Sequence, residues 1–135
     1  MKVQTDDRPE DFGCADCWPP TAADAWEARR TLSQVAELID ESHFHVMILA
    51  CPRCTQHFVS VFTEMIDWAD GDDPQHWTVM PISQVETVEL IKQRDSLSET
   101  LEALGSGRRC LRRDHPKGTA RHVFWGTGLN IGPHD

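Results

Sequence analysis

The chain has 135 residues and a formal net charge of −9, with 39% of its residues hydrophobic and 26% charged. This length fits one domain, or a small domain with appendages, and the composition disfavours both a membrane protein and a wholly disordered chain. The acidic balance also disfavours a dedicated nucleic-acid-binding protein. The core that such a chain can bury is modest, so we expect an additional cross-link to contribute to its stability.

The N-terminal sequence and the cysteine content together predict a cytoplasmic location. No run of about 18 apolar residues is present, so we expect no transmembrane helix. Residues 1–13 are polar and acidic and lack the apolar region of a secretory signal. Thiols stay reduced in the cytosol, and the five cysteines are an odd number for a disulfide framework. We therefore interpret the cysteines as metal ligands or catalytic groups in preference to disulfide partners.

The first predicted element is a helix over residues 22–40. Pro19 and Pro20 form a rigid break before it, and Thr21 occupies the N-cap position. Apolar residues then recur at helical spacing to about Asp40. These are Trp26, Leu32, Val35, Ala36 and Ile39.

The middle of the chain predicts strands. Residues 44–50 form a short, partly β-branched apolar run typical of a buried strand. Residues 56–69 fit either a strand or an amphipathic helix, but His57–Thr63 is dominated by β-branched and aromatic side chains. The acidic Gly- and Pro-containing segment at 70–74 is typical of a turn, and 77–82 is a further strand pattern. Strand, turn, strand is the favoured interpretation.

A second helix is predicted over residues 83–104. Ser83 and Glu86 have the spacing of a capping box, and Gly105 is a typical C-terminal stop. Leucines at 90, 97 and 104 are seven residues apart, which predicts a helix packed on its own sheet or, alternatively, a short helix pair across a dimer.

The C-terminal segment, residues 105–135, is predicted to be an irregular basic arm, in which Val123–Trp125 adds an edge strand or docks. Within it, residues 108–121 contain six basic residues against the single acid Asp114, a net charge of +5. This segment either packs on the acidic body of its own or a neighbouring chain, or contacts nucleic acid or an acidic partner. The basic residues are Arg108, Arg109, Arg112, Arg113, Lys117 and Arg121.

Two Cys-x-x-Cys motifs are the most specific chemical signal in the chain. They place Cys14 with Cys17, and Cys51 with Cys54. Zinc in structural sites is held by four ligands in a tetrahedron, and two residues between cysteines let one turn direct both sulfurs at the same ion. Two such motifs in one small chain therefore predict a single four-cysteine zinc site. Binding of that ion would supply folding free energy that a small core lacks.

In these motifs the chain resembles the zinc-ribbon family, and no closer family is identified. The resemblance covers roughly residues 14–82. It implies a primary hairpin in which strand 44–50, the Cys51–Cys54 turn and strand 56–66 follow one another, with Cys14 and Cys17 on the second knuckle. The predicted helix accounts for the 33 residues between Cys17 and Cys51. The family includes transcription factors, ribosomal proteins, enzyme subunits and small adaptors, so the resemblance does not name a process.

The fold prediction that follows is an α+β domain. It comprises a small antiparallel β-sheet with a zinc-ribbon-like hairpin, two main helices and an irregular C-terminal arm. We expect a flexible N-terminus at 1–13, a zinc-ribbon-like domain at 14–104 and the basic arm at 105–135.

An alternative assigns redox chemistry to the second motif. Cys51-Pro52-Arg53-Cys54 after an apolar strand also resembles the active-site turn of thioredoxin-like proteins, in which Cys51 would attack and Cys54 would resolve. That fold requires a helix directly after Cys54, and it leaves Cys14 and Cys17 without a role. Two unrelated pairs of buried thiols are the remaining interpretation. Cys110 lies in an arginine run and is either a reactive thiol or a spectator.

Four sulfur ligands leave no coordination position for a water molecule, so the predicted zinc is structural. We therefore expect a noncatalytic binding, adaptor or regulatory protein, with another protein or a second copy of the chain as partner. Trp68, Trp77 and Trp125 are the partner-contact candidates if they are exposed. The alternatives are a thiol-disulfide oxidoreductase and a nucleic-acid-associated regulator that uses the 108–121 segment.

Overall fold

The computed structural model describes residues 12–104, 107–129, 131 and 134, so the N-terminus predicted to be flexible lies almost entirely outside the described residues. Within these residues the chain forms six strands, three α-helices and two short 3₁₀ turns. In chain order they are α1 (Ala22–Ala28), a turn at Arg29–Thr31, β1 (Ser33–Glu41), β2 (Phe44–Ala50), β3 (His57–Glu64), β4 (Gln75–Ile82), α2 (Gln84–Lys92), a turn at Arg94–Ser96, α3 (Leu97–Ala103), β5 (Arg109–His115) and β6 (His122–Thr127).

The six strands form one antiparallel sheet whose spatial order, β1 to β6, is also the order along the chain. Each strand therefore pairs with its sequence neighbour, and β1 and β6 are the edges. The predicted α+β class is confirmed. None of the helices in the described ranges is long and apolar enough to cross a membrane.

Side-chain alternation gives the sheet two differently covered faces. On one face, residues of β2, β3 and β4 pack under α2 and α3, and we call this group the helix-side core. Its buried members include Val46, Ile48, Val59, Val61, Met80, Ile82, Leu90, Leu97 and Leu101. On the other face, the N-terminal segment and α1 cover a second group, the metal-side core. It contains Cys17, Trp18, Ala25, Cys51, Phe58, Val79 and Leu111.

The strand–turn–strand prediction for the middle of the chain is confirmed by β3 and β4. The turn between them is organised by Asp67, whose carboxylate accepts backbone N–H groups from Ala69 and Asp70 at 3.2 and 3.1 Å. The same turn displays Trp68, which is 89% exposed.

The helix predicted over 22–40 is wrong beyond its first two turns. Thr21 caps α1 as predicted, accepting the backbone N–H of Asp24 at 3.2 Å, but the helix ends at Ala28. Residues Ser33–Glu41 form β1 instead. Register shifts between Gln34 and Ala36, and between Glu37 and Ile39, break the two-residue alternation of this strand. The apolar residues consequently recur at intervals that imitate a helix.

The second predicted helix begins as expected and is then interrupted. The Ser83–Glu86 capping box is present, with Ser83 N–H donating to Glu86 Oε1 at 2.8 Å and Glu86 N–H donating to Ser83 Oγ at 3.1 Å. The chain leaves α2 after Lys92, forms the Arg94–Ser96 turn and resumes as α3. Leu90 and Leu97 are buried in the helix-side core of their own chain.

The prediction of an irregular C-terminal arm is wrong for its central part. Residues Arg109–His115 are β5, paired with β4, and residues His122–Thr127 are β6, paired with β5. The alternative prediction for Val123–Trp125, an edge strand, is confirmed. The basic segment therefore belongs to the sheet, and its side chains alternate between the two faces.

Candidate metal centre

Four cysteine sulfurs meet at one end of the metal-side core. The Sγ atoms of Cys14, Cys17, Cys51 and Cys54 all lie within 4.8 Å of one another. Individual Sγ–Sγ distances are 3.7 Å from Cys14 to Cys17, 3.9 Å from Cys14 to Cys51 and 3.7 Å from Cys17 to Cys54. These separations are far longer than the roughly 2.05 Å of a disulfide bond. The cluster is consistent with a zinc-ribbon-like site.

The first motif forms a tight turn that is preceded by a glycine. Trp18 N–H donates to Cys14 O at 2.8 Å, and Cys14 N–H donates to Cys17 Sγ at 3.2 Å. Gly13 has φ +71°, and a Cβ there would lie 2.8 Å from Trp18 Cβ and 3.0 Å from Cys17 Sγ. Glycine is therefore required both by the backbone angle and by the close approach.

The second motif closes the hairpin between β2 and β3. Cys51 N–H donates to Gln56 O, and Thr55 N–H donates to Cys51 O, both at 2.9 Å. Arg53 N–H points at Cys51 Sγ at 3.4 Å. Thr55 has φ 65°, the left-handed region, which a β-branched residue rarely adopts.

Contacts outside the sulfurs also join the two motifs. Gly13 N–H donates to Gln56 Oε1 at 3.0 Å, while Gln56 Nε2 donates to the carbonyls of His57 and Ile82 at 2.9 and 2.8 Å. Asp16 and Arg53 form an exposed ion pair at 3.0 Å. Neither Gly13 nor Gln56 was predicted from the sequence, in which Gly13 directly precedes the first motif and Gln56 lies two residues after the second.

Aromatic packing fixes the first motif on the sheet. The ring centroid of Trp18 lies 5.4 Å from that of Phe58 and 5.0 Å from that of Trp125. Trp125 Nε1 in turn donates to Pro20 O at 3.1 Å. Trp18 is 7% exposed and Phe58 is fully buried. The first motif is thus held over β3 and β6 by packing as well as by the cysteines.

The thiols of the cluster have unequal affinities for protons. Burial raises the pKa of Cys17 well above its usual range, and burial also raises the pKa of Cys54. Burial acts in the same direction on Cys51, but hydrogen bonds from the backbone of Cys54 and Arg53 outweigh it and lower the Cys51 pKa to about 7. A divalent cation bound by four sulfurs this close would stabilise all of them as thiolates.

The donor set and spacing fit zinc. A tetrahedron with Zn–S bonds of about 2.3 Å has sulfur–sulfur edges of about 3.8 Å. The three distances between 3.7 and 3.9 Å agree with that edge. Thiolates are soft ligands that select zinc over magnesium or calcium.

The surroundings of the second motif do not match the redox alternative. The segment after Cys54 is strand β3, whereas a thioredoxin-like site requires a helix there. Cys51, the thiol that would attack, is 3% exposed, while Cys54 is exposed. A nucleophilic thiol has to be accessible to its substrate.

Cys110 lies apart from the cluster. It is fully buried in the helix-side core, and its thiol donates to Gly128 O at 3.2 Å. Burial raises its pKa to about 11, so it stays protonated at neutral pH. This environment is that of an inert, packed thiol.

Among the described residues, carboxylates contact three of the six basic residues at 108–121. Arg108 is 3% exposed and pairs with Glu86 at 2.8 Å. Lys117 Nζ lies 3.1 Å from Asp67 and 3.0 Å from Asp70. The third pair is a longer contact of 3.7 Å between Arg112 and Asp114.

The other basic residues of this segment are differently placed. Arg109 lies over the ring of Trp125, 4.0 Å from its centroid, and Arg113 lies 5.3 Å from the centroid of Trp26. Arg121 is exposed. The structure therefore does not gather the six residues into one surface.

Comparison of this chain with models of known protein families, with curated proteins and with solved structures finds no match.

Proposed function

We propose that this chain is a noncatalytic zinc protein, in which one structural ion held by four cysteines joins the N-terminal segment to the β2–β3 hairpin. The observation that carries the proposal is a cluster of four sulfurs within 4.8 Å of one another, in which three Sγ–Sγ distances, 3.7 to 3.9 Å, agree with the edge of a zinc–thiolate tetrahedron. A closed four-sulfur shell offers no position for a substrate or an activated water. The protein's function then lies in a surface that the zinc stabilises, as expected of a binding or adaptor protein.

Reducing conditions suit this proposal, since thiolate ligands must stay unoxidised. We therefore place the protein in the cytoplasm, where disulfides are rare. Its partner is then another macromolecule that binds a surface of this chain.

Metal analysis with subunit counting tests the proposal. The chain, purified without added metal, should contain one zinc per subunit by elemental analysis and by native mass spectrometry. Cys14→Ser and Cys51→Ser should each lose that zinc, because each removes one of the four ligands. Cys110→Ala is the matched control, since it removes a thiol that lies outside the cluster, and it should keep the zinc.

One result of the same measurements would contradict the zinc proposal. A metal-free protein with a reversible two-electron couple between Cys51 and Cys54 would replace the zinc proposal with the oxidoreductase.

A further inference from the structure

A row of large side chains crosses the sheet on the face that carries α1, away from the four cysteines. His45 of β2 pairs with Phe62 of β3, Phe62 with Trp77 of β4, and Trp77 with Arg113 of β5. Directly paired residues share a face, so we call these four the cross-strand row. Ring centroids are 5.8 Å apart from His45 to Phe62 and 4.9 Å apart from Phe62 to Trp77. The row spans three strand spacings, about 14 Å.

The row borders an open groove that α1 leaves uncovered. The groove has a volume of about 360 Å³ and is lined by His45, Met47, Ser60, Phe62, Gln75 and Trp77. Trp77 Nε1 donates to Ser60 Oγ at 3.0 Å, which fixes the orientation of the indole. The polar groups at the rim pair with neighbours, as His45 does with Asp40 at 3.2 Å and Gln75 with Glu64 at 2.7 Å. The aromatic rings of Phe62 and Trp77 therefore line a groove that is open to solvent, and the indole is held in one orientation.

Two guanidinium groups lie at one end of the row. Arg29 is 3.7 Å from the ring centroid of Trp26 and 5.1 Å from that of Trp77, and Arg113 is 5.3 Å from that of Trp26. We call Arg29 and Arg113 the arginine pair. Among the described residues neither makes a hydrogen bond or an ion pair through its side chain, and Arg29 Nε is buried without a partner.

The arginine pair is electrostatically unfavourable as it stands. Burial, followed by the charges of Arg30 and Arg113, lowers the pKa of Arg29, while the opposing effect of Glu27 is the smallest of the four. Burial and the charge of Arg121 likewise lower the pKa of Arg113. An anionic ligand would relieve the repulsion between these two like charges, because no described carboxylate forms an ion pair with either of them. The arginine pair is thus a local positive site on a chain whose net charge is −9.

We propose that the cross-strand row and the arginine pair form a binding surface for a short single-stranded nucleic acid. Bases would stack in the groove over Phe62 and Trp77, and phosphates would contact the arginine pair. This inference goes beyond the zinc proposal and does not depend on it.

Two features favour this ligand over other anions. Aromatic faces beside unpaired guanidiniums match a ligand that alternates planar bases with negative charges, whereas an acidic peptide would leave the rings without planar partners. The groove is an open surface across several strands. Such a surface suits an extended chain, whereas a single small molecule is usually bound in an enclosed pocket. In duplex DNA the bases stay stacked on one another, so they cannot stack on the aromatic rings of the groove.

Fluorescence anisotropy with a labelled, mixed-sequence, single-stranded octanucleotide tests the proposal. The full-length protein should bind at low salt, and the double variant Arg29→Ala/Arg113→Ala should bind at least tenfold more weakly. The slope of log affinity against log salt should fall by about 0.7 for each phosphate that the variant no longer neutralises. Phe62→Leu keeps an apolar side chain but removes a stacking face, and it should weaken binding about tenfold. Zinc content and thermal melting establish that each variant is folded.

Lys92→Ala is the control for charge, because it removes one positive charge from an exposed position on α2, which covers the opposite face of the sheet. It should leave binding unchanged. Equal losses of affinity in Lys92→Ala and in the arginine double variant would reduce the effect to overall charge and overturn the proposal. So would undiminished affinity in the arginine double variant, equal affinity for free mononucleotides or for polyglutamate, or no binding of the octanucleotide at low salt. None of these outcomes changes the expected zinc content.

Discussion

Thr55 is the residue at which the second motif stores strain. Its φ of 65° lies in the left-handed region, where a β-branched side chain costs about 1–3 kcal/mol. The turn requires this conformation because Thr55 N–H donates to Cys51 O while Cys51 N–H reaches Gln56 O. A glycine would adopt it without a steric penalty.

We predict that Thr55→Gly stabilises the protein by about 1 kcal/mol. The relief of strain exceeds the extra unfolded-state entropy of glycine, about 0.5–1 kcal/mol. Urea unfolding of the zinc-loaded protein measures this change. Thr31→Gly is the matched control, since Thr31 lies in a right-handed 3₁₀ turn and its hydroxyl donates to Ala28 O at 2.8 Å. The control should destabilise the protein. Destabilisation of similar size by both substitutions would contradict strain at Thr55.

The ligands could be predicted from sequence, whereas the residues that support them could not. Cysteine spacing has a direct geometric meaning, so Cys14, Cys17, Cys51 and Cys54 stood out together. Thr55 carries no signal for a positive φ, because glycine or asparagine is the usual marker of such a position. The bridging role of Gln56 depends on Gly13, 43 residues away, and local patterns hold no information about that contact.

Among the elements, α2 is tied to the sheet by a buried ion pair at its first turn. Arg108 donates to Glu86 Oε1 and Oε2 at 2.8 and 3.0 Å and also to Pro81 O at 2.9 Å. Burial alone would raise the pKa of Glu86, but hydrogen bonds from Arg108 and the Ser83 backbone hold it below its ordinary value of 4.5. The arginine is 3% exposed, so this carboxylate stabilises a buried positive charge.

We predict that Glu86→Gln destabilises the protein by about 2 kcal/mol at pH 7, because it removes the negative charge of a carboxylate that accepts two hydrogen bonds from the buried Arg108 guanidinium. Glutamine preserves the reach-back bond of the capping box, so the loss reports on charge. Glu89→Gln, an exposed change on the same helix, should cost less than about 0.5 kcal/mol. Chemical denaturation of the three proteins measures both values.

The effect of Glu86 should also depend on pH with a definite sign. A depressed folded-state pKa gives stabilisation that is complete above the unfolded value near 4.5 and is lost as the pH falls through the folded value. The difference between wild type and Glu86→Gln should therefore shrink as the pH is lowered below 4.5. A difference that stays constant from pH 7 down to well below pH 4.5 would contradict this assignment.

Predictions of elements succeeded where the pattern was regular. Residues 44–50 are an apolar run, His57–Thr63 is rich in β-branched and aromatic side chains before the 70–74 turn, and a capping box marks the start of α2, so these elements were recognisable. β1 was mistaken for helix because its two register shifts turn alternation into a three-to-four-residue rhythm. β5 was missed because arginine and aspartate fill strand positions whose side chains stack on rings or pair with charges, and apolar periodicity does not detect such a strand.

At the scale of the whole molecule, the two cores depend on the metal to different degrees. The helix-side core draws on β1 to β5, α2 and α3, and it contains none of the four clustered cysteines. The metal-side core contains Cys17 and Cys51 and holds the N-terminal segment and α1 against β3 to β6. Helix α1 has only seven residues, too few to be stable alone in water. Its position consequently depends on packing and on the cysteine cluster.

We predict that removal of zinc by a chelator under reducing conditions releases residues 12–31 before it unfolds the sheet. Chelation removes the ion that joins four thiols within 4.8 Å of one another, and burial, which raises the pKa of Cys17, then favours protonation of that thiol. Hydrogen–deuterium exchange should show loss of protection in residues 12–31, while β3 beneath α2 and α3 stays protected. The fluorescence of Trp18 should shift to the red as it leaves Phe58.

The reason for this order is that the helix-side core retains all its apolar contacts when the metal-side core opens. A protein whose exchange becomes uniformly fast on chelation would instead have one cooperative core, so zinc would support the entire sheet. Cys17→Ser should reproduce the chelated state without chelator, whereas Cys110→Ala, which alters only the helix-side core, should keep residues 12–31 protected. The comparison separates a metal that anchors one segment from a metal on which the whole fold depends.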